Sequence, residues 1–247
     1  MCERALGGFT PAPVCRGCLS AVLALEAESS CTRCGLPFET NLPASGPHLC
    51  GLCRLAPPAF DTARSFGVYE ADLRRLIHLL KYDGMRPLVK VLAAKMAPVT
   101  PRVGDVELVV PVPLHRSRRW SRQFNQADLL ARELSRLTAI PLRSKCLRRV
   151  RLTLSQAGLS HRRRRENVKG AFAAEDIVSL KGRRVLLVDD VMTTGATLDA
   201  CAQALKAAGA RSVACLTIAR AKRRLIDPNP GRSANVSFRQ TRAGETW

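Results

Sequence analysis

Apolar positions beyond residue 64 recur with two different periods, and the segments that carry them alternate along the chain. Three segments repeat apolar residues at helical spacing and predict helices: residues 70–82, 125–138 and 197–208. Three shorter apolar and β-branched runs predict strands: residues 106–112, 184–189 and 212–219. Because strands that alternate with helices pair in parallel through right-handed crossovers, the pattern predicts an α/β fold with a doubly wound parallel sheet. A ligand site is expected at the carboxyl ends of its strands.

The second predicted helix also shows how it should begin and which face it should bury. Asn125 precedes its first turn and is expected to cap it, because an asparagine side chain can accept a hydrogen bond from a free backbone N–H. Its leucines predict a buried face made by Leu129, Leu130, Leu134 and Leu137.

The first sixty residues break this rhythm, because they hold seven of the ten cysteines and little apolar periodicity. Such a segment cannot bury a sizeable core and needs a cross-link, such as a metal ion or disulfide bonds, to be stable. Two Cys-x-x-Cys pairs, Cys31 with Cys34 and Cys50 with Cys53, are separated by fifteen residues, as in zinc ribbons, and together supply the four thiolates that a structural zinc ion prefers. Disulfides and a redox pair are the alternatives. A cytosolic chain disfavours disulfides, and the recurrence of the pairs disfavours a redox function.

A third pair, Cys15 and Cys18, lacks a complete partner, since only Cys2 lies nearby. We interpret these three as a second, incomplete zinc site. Cys2 falls where the second cysteine of a missing knuckle would stand, so the sequence predicts that translation begins upstream of Met1. Cys2 also has the position of the N-terminal nucleophile of glutamine amidotransferases, but about sixty cysteine-rich residues are too few for a glutaminase domain.

Net charge is the compositional feature that most narrows the function. The chain carries 40 Lys and Arg against 20 Asp and Glu, a net charge of +20, and residues 1–60 contain four of each sign. The whole excess therefore lies beyond residue 60 and favours polyanions, either nucleic acid or phosphate-rich small molecules. Aromatic residues make up only 4%, which disfavours an extended surface for stacking bases.

The domain plan and the cellular location follow from the same patterns. We expect a zinc-ribbon domain at residues 1–60, a larger α/β domain at 61–221 and a loosely ordered basic tail at 222–247. The longest apolar runs, such as residues 185–188, are far shorter than the roughly 20 residues that span a bilayer. No secretory leader pattern opens the chain, so we expect a cytoplasmic protein without membrane insertion.

The most informative stretch is VLLVDDVMTTGAT at residues 185–197, in which a buried strand leads into a hydroxyl-rich loop and a helix. Asp189 and Asp190 can hold a ribose diol directly or through a hydrated Mg²⁺ ion. Backbone N–H groups and hydroxyls at a helix start can cradle a monophosphate, and five residues are candidates for this: Thr193, Thr194, Gly195, Ala196 and Thr197. An ordinary α/β turn is the alternative, but the acids and the loop residues occur together in the order that such a site requires.

This stretch resembles the 5-phosphoribosyl 1-diphosphate (PRPP) signature of the type I phosphoribosyltransferases. Further segments resemble the ComF competence family: LKYDG at 80–84, VPVPLHR at 110–116, QFNQA at 123–127, QAGL at 156–159 and RRENVKGAF at 164–172. The resemblance covers roughly residues 1–220. The sequence departs from the family at Gln123, where the family has glycine, and in the missing first cysteine knuckle.

The resemblance implies a zinc ribbon ahead of a type I phosphoribosyltransferase domain, with a role in DNA uptake during natural transformation. It implies that Asp189 and Asp190 bind the ribose hydroxyls as catalytic residues with Mg²⁺, and that residues 193–197 bind the 5′-phosphate. The pyrophosphate would be held by the loop Pro113, Leu114, His115 and Arg116, with Arg118 or Arg119 nearby, although His115 could equally be structural. Residues 150–170 would form a loop that closes over the site, and their arginine run at 162–165 could contact phosphate, nucleic acid or only solvent.

Two functions remain open from the sequence. The first is displacement of pyrophosphate from C1 of PRPP through an oxocarbenium-like state, which needs positioning and electrostatic stabilisation more than a strong base. Thr193 stands where some purine transferases carry an aspartate, so a 6-oxopurine acceptor is not supported and the acceptor is unassigned. The second is a non-enzymatic adaptor on the same fold, which would bind single-stranded DNA and a DNA-translocating helicase.

Overall fold

The computed structural model describes residues 14–20, 22, 24–25, 30–38, 48–114, 124–153 and 160–222. The strands are, in chain order, β1 (Thr62–Val68), β2 (Leu108–Pro111), β3 (Leu147–Arg149), β4 (Phe172–Ala174), β5 (Arg184–Met192) and β6 (Ser212–Arg220). The α-helices are α1 (Arg16–Ser20), α2 (Gly51–Leu55), α3 (Ala71–Tyr82), α4 (Leu88–Met96), α5 (Gln126–Thr138), α6 (His161–Val168), α7 (Ile177–Leu180) and α8 (Ala196–Ala207). A 3-10 helix (Ala97–Val103) continues α4.

The main sheet has four parallel strands in the order β1-β6-β5-β2, and β3 pairs with β4 in a separate antiparallel ribbon. In the sheet register, Pro111 of β2 lies beside Val188 of β5, and Asp189 of β5 lies beside Thr217 of β6. Parallel pairing brings the carboxyl ends of β2, β5 and β6 to one edge of the sheet. The predicted α/β fold with a parallel sheet is therefore confirmed.

Both faces of the sheet are covered, and the core divides between them. Leu186 and Val188 of β5 belong to the core with α3, α4 and α5, whereas Val185 and Leu187 belong to the core with α8. This division follows from the strand geometry, because successive side chains point to opposite faces. A strand buried on both faces has a continuous run of apolar residues, and residues 185–188 of β5 form such a run in the sequence.

The helix predictions hold best where an apolar face meets the sheet. Helix α3 buries Leu73, Leu76, Ile77 and Leu80, the residues at helical spacing. Helix α5 begins after Asn125, whose side chain accepts a hydrogen bond from the N–H of Ala127 at 3.1 Å, so the expected cap is confirmed. Leu130 and Leu134 are buried as predicted, but Leu129 is half-buried and Leu137, the next-to-last residue of the helix, is 40% exposed.

Helix α6 lies inside the segment that the sequence pattern predicts as a loop. It has no apolar stripe, but Ser160 caps it by accepting a hydrogen bond from the N–H of Arg163 at 3.3 Å. Arg162 forms an ion pair with Glu166 one turn later at 2.9 Å, and Val168, the last residue of the helix, is buried in the core. Capping, an ion pair and one anchor therefore support a helix that hydrophobic periodicity could not reveal.

The cysteine-rich segment contacts the outer edge of β1. The N–H of Ala63 donates to the carbonyl of Arg33 at 2.7 Å, and the N–H of Leu25 donates to the carbonyl of Phe66 at 2.6 Å. Gly35 has φ +62°, and a Cβ at this position would lie 2.8 Å from the carbonyl oxygen of Ala63. Glycine is needed there for both its backbone angle and its closeness to the strand.

None of the helices in the described ranges is long and apolar enough to cross a membrane. The basic tail falls outside the described residues beyond Lys222, as does Cys2 near the start of the chain.

Candidate active site and metal centre

The acidic pair lies near the carboxyl end of β5, at the edge where a ligand site is expected. Asp189 and Asp190 are half-buried, and the N–H of Asp190 donates to Oδ1 of Asp189 at 2.9 Å. Burial and the neighbouring charge of Asp190 raise the pKa of Asp189 to about 7, although that N–H and two nearby cations work in the opposite direction. Two carboxylates held this close favour a cation between or beside them.

Lys81 supplies a positive charge to this pair, and no sequence motif had assigned it a function. Its Nζ lies 2.9 Å from Oδ2 of Asp190, with the two side chains only 16% and 14% exposed. Burial alone would lower the pKa of Lys81, but the charges of Asp190 and Asp189 outweigh burial and raise it, so the ammonium group stays protonated. The available signal was a lysine beside the buried face of α3, within the LKYDG segment.

The loop after β5 has the backbone shape of an anion site at the start of α8. Gly195 precedes the helix with φ +80°, and a Cβ there would lie 2.8 Å from Cε of Met192. Thr194 Oγ1 accepts a hydrogen bond from the N–H of Ala196 at 3.3 Å. Thr193, Thr194 and Thr197 are half-buried beside these first N–H groups. The structure thus brings the predicted loop together with the positive end of a twelve-residue helix.

Helix α6 divides the arginine run into two pairs. Nη1 of Arg164 donates to Oγ1 of Thr193 at 2.8 Å, and Nη2 of Arg165 lies 3.7 Å from Oδ2 of Asp199 in α8. Arg162 and Arg163 are exposed. From the sequence the four arginines form one run, because the helix that turns them to different sides has no periodic signal.

The predicted pyrophosphate loop begins at the same edge of the sheet. The N–H of Val112 donates to the carbonyl of Val188 at 2.9 Å, which continues the β2–β5 ladder and places Pro113 and Leu114 directly after it. Asn125 fixes this turn, since its Nδ2 donates to the carbonyl of Val112 at 3.0 Å. His115 and Arg116 lie outside the described residues, as do Arg118 and Arg119.

Four cysteines form the one group of potential metal ligands within the described ranges: Cys31, Cys34, Cys50 and Cys53. Their sulfur atoms all lie within 4.8 Å of one another, and all four residues are buried. Two backbone N–H groups point to Sγ of Cys31, from Cys34 at 3.5 Å and from Cys50 at 3.3 Å. Four close thiols with N–H···S contacts fit a tetrahedral zinc ion.

Cys15 and Cys18 are not part of this group. The N–H of Cys18 donates to Sγ of Cys15 at 3.3 Å, and Cys18 belongs to the core on the opposite face of the sheet. Cys2, the third residue of the suggested incomplete site, lies outside the described residues. The structure therefore separates the two sets of cysteines that the sequence placed in one module.

Comparison with known proteins agrees with the fold. Residues 127–233 match the phosphoribosyl transferase domain, a range that includes β5, the acidic pair and the loop before α8. The fold and the match together define a protein with a phosphoribosyltransferase domain.

The chain is 35% identical to competence protein F of Haemophilus influenzae over 215 residues, which are 84% of this chain and 90% of that protein. It is 36% identical to the DNA utilization protein YhgH of Escherichia coli K12 over 190 residues, or 74% of this chain and 80% of that protein. The protein therefore belongs to the competence protein F (ComF) family, and the resemblance drawn from its motifs is confirmed.

Two further matches are more distant. Competence protein ComFC of Bacillus subtilis is 29% identical over 160 residues, which cover 64% of this chain and 63% of that protein. Among solved structures, the glutamine PRPP amidotransferase of B. subtilis is 23% identical, with a TM-score of 0.36 over 52% of this chain. The match spans about a quarter of that enzyme, 26% of its length.

Proposed function

We propose that this protein binds PRPP with Mg²⁺ and acts as a cytoplasmic phosphoribosyltransferase in the uptake or use of DNA. The observation that carries the proposal is the pairing of Asp189 and Asp190 with a glycine-turned helix start three residues beyond β5. The names of two relatives, a competence protein and a DNA utilization protein, support the biological context. The acceptor of the ribosyl group stays unassigned.

The acidic pair would bind the ribose end of PRPP. Each carboxylate can accept hydrogen bonds from a ribose hydroxyl or from water on a hydrated Mg²⁺ ion. When bound with PRPP, Mg²⁺ would neutralise charge on the leaving pyrophosphate. Before binding, Lys81 provides the positive charge that Asp190 needs, at 2.9 Å. We propose that PRPP binding breaks the Lys81–Asp190 ion pair, gives Asp190 the ribose or hydrated Mg²⁺ as its new partner, and leaves the Lys81 ammonium group beside the phosphates.

The loop would bind the 5′-phosphate through backbone N–H groups and the hydroxyls of Thr193, Thr194 and Thr197. The helix start gives these donors a positive environment, and the small Gly195 lets an anion approach the backbone. Arg164 adds a guanidinium group at 2.8 Å from the Thr193 hydroxyl. A phosphate that reaches the loop can therefore gain charged hydrogen bonds from helix α6 as well.

We propose the remaining parts of the protein as supports for this activity. The four clustered cysteines would hold a structural zinc ion in a ribbon at residues 1–60, next to a transferase domain at 61–221 and a basic tail at 222–247. The charge of +20 would favour contacts with single-stranded DNA and, through it, with a DNA-translocating helicase.

Calorimetry with PRPP and Mg²⁺ tests the proposal. Replacing both Asp189 and Asp190 by Asn should weaken binding about tenfold or more, because each charged hydrogen bond contributes roughly 1.5–3 kcal/mol. Asp105→Asn is the matched control, since Asp105 is exposed and precedes β2 at the opposite end of the sheet. The affinity of Asp105→Asn for PRPP should equal that of the wild type.

Two outcomes would count against a transferase. If the wild type does not bind PRPP at millimolar concentration but still binds single-stranded DNA, the adaptor hypothesis explains the protein better. If PRPP binds but no pyrophosphate is released with any of a panel of bases and amines, the site is a binding site without the predicted transfer reaction.

A further inference from the structure

Arg220, the last residue of β6, is a buried charged side chain without an acidic partner in the described part of the chain. It is 3% exposed, and no carboxylate of the described residues forms an ion pair with it. A buried guanidinium group is costly unless an opposite charge and hydrogen-bond acceptors surround it. The atoms that surround Arg220 therefore indicate what its charge is for.

On one side, Arg220 contacts a cysteine of the metal centre. Its Nε donates to the carbonyl of Cys34 at 3.2 Å, and its Nη2 lies 3.9 Å from Sγ of Cys34. A zinc ion with four cysteine thiolates has a negative net charge, because the thiolates outweigh the ion. The four cysteines fit such a centre, which would thus supply the opposite charge that the guanidinium group needs.

On the other side, the same guanidinium group contacts the backbone where the candidate phosphate-binding segment begins; we call residues 193–197 the phosphate loop. Its Nη1 donates to the carbonyl of Met192 at 3.0 Å and also to the carbonyl of Thr193. These two carbonyls immediately precede Thr194 and Gly195, which shape the start of α8. One buried side chain, 186 positions from Cys34 in the sequence, thus contacts both the metal centre and the loop.

We infer that Arg220 is a positioning residue that couples the metal centre to the phosphate loop. With the metal in place, the fixed negative charge at Cys34 orients the guanidinium group, and its remaining N–H groups hold the carbonyls of Met192 and Thr193. Loss of the metal removes that fixed partner, so the loop loses part of its support. Since coupling between two sites is reciprocal, a ligand on the loop should also retain the metal. This second effect rests on the proposed binding of PRPP.

Arg64 is a suitable control because it contacts the same cysteine-rich segment without reaching the loop. Its Nη1 donates to the carbonyls of Thr32 and Ala63, both at 2.8 Å. Arg64→Lys therefore disturbs the attachment of the metal centre to β1. Arg220→Lys keeps the positive charge but removes the planar guanidinium group whose several N–H donors contact both the metal centre and the phosphate loop.

The first experiment measures the zinc affinity of the full chain by equilibrium competition with a chromogenic chelator, with and without PRPP and Mg²⁺. PRPP should raise the zinc affinity about fivefold or more in the wild type and in Arg64→Lys, the lower range of ordinary coupling. In Arg220→Lys the ligand should change the zinc affinity less than twofold. An equal rise in Arg220→Lys, or no rise in a wild type that binds PRPP by calorimetry, overturns the inference.

The second experiment needs no ligand and separates this inference from the proposed function. Hydrogen exchange of the peptide over residues 190–199 is compared among zinc-loaded wild type, Arg220→Lys and Arg64→Lys, and the wild type after removal of zinc. Exchange should be faster in Arg220→Lys and in the zinc-free wild type, but not in zinc-loaded Arg64→Lys. If PRPP fails to bind the wild type, the proposed function fails, and this measurement decides the coupling by itself. Unchanged loop exchange in Arg220→Lys would refute it.

Discussion

Lys81→Met tests whether the lysine is the cation that makes the acidic pair tolerable in the unliganded protein. The substitution keeps the length and packing of the side chain but leaves Asp190 beside Asp189 without its partner at 2.9 Å. Breaking a buried ion pair by removing one partner costs about 3–5 kcal/mol. Because the two side chains are 16% and 14% exposed, solvent screens part of this effect, and we expect a loss of about 2–4 kcal/mol.

Urea unfolding of the zinc-loaded protein measures this loss, and a double-mutant cycle assigns it to the pair. Lys81→Met combined with Asp190→Asn should recover much of the stability, with a coupling energy of roughly 1–3 kcal/mol. Lys206→Met is the matched control, since Lys206 pairs with Asp61 at 2.8 Å but with side chains 34% and 44% exposed. That exposed pair should contribute at most about 1 kcal/mol.

Two results would refute this reasoning. Equal losses for Lys81→Met and Lys206→Met would mean that burial does not strengthen the Lys81–Asp190 pair. A coupling energy near zero would mean that Lys81 stabilises α3 by packing and not through the carboxylate. Either result would also remove the reason for expecting an exchange of this contact when PRPP binds.

The metal centre, the acidic pair and helix α6 each give one further prediction. Cys50→Ser should lower the zinc content below one ion per chain by metal analysis, since it removes one of the four clustered ligands; full retention of zinc would contradict the centre. The pKa of Asp189 is raised from 3.8 to about 7, so the contribution of this carboxyl to stability should fall as pH rises between these two values. Asp189→Asn should therefore stabilise the magnesium-free protein more near pH 8 than near pH 5 in thermal unfolding, and an equal effect at both would contradict this cause. Arg164→Gln should weaken PRPP binding in calorimetry. Arg162→Gln should instead reduce the slope of log K against log salt for single-stranded DNA binding by about 0.7 for each phosphate that Arg162 neutralises. Identical behaviour of the two variants would mean that α6 does not separate the functions of these arginines.

Sequence patterns predicted several elements whose side chains repeat at a fixed period, although α4, which buries Leu88, Leu92 and Met96 at helical spacing, was not predicted. The patterns also failed where stability comes from other sources. Helix α3 was predicted because four apolar residues share its face. Helix α6 was missed because its support is a cap, an ion pair and the buried Val168. Strand β5 extends to Met192, beyond its apolar run, because its backbone keeps pairing with β6 after the side chains become polar.

The candidate site shows the same limit on a larger scale. Its acids and its phosphate loop are contiguous in sequence, so local chemistry was enough to identify them. Lys81 contacts Asp190 from α3, and Arg220 contacts the carbonyls of Met192 and Thr193 from the end of β6. The LKYDG segment includes Lys81 but does not reveal its partner, and nothing in the residues around Arg220 distinguishes it from the other basic residues of the chain. Only the packing of distant segments brings these two side chains to their partners.

The hydrogen bonds between the cysteine-rich segment and β1 have a consequence for how the protein can be divided. In the strand order β1-β6-β5-β2, β1 is an edge strand, and the backbones of Arg33 and Leu25 occupy hydrogen-bonding groups of Ala63 and Phe66 on its outer side. A bare edge strand is a template for pairing with other chains. A chain that began at β1 would therefore expose this edge together with the apolar surface under the cysteines, and we expect it to aggregate.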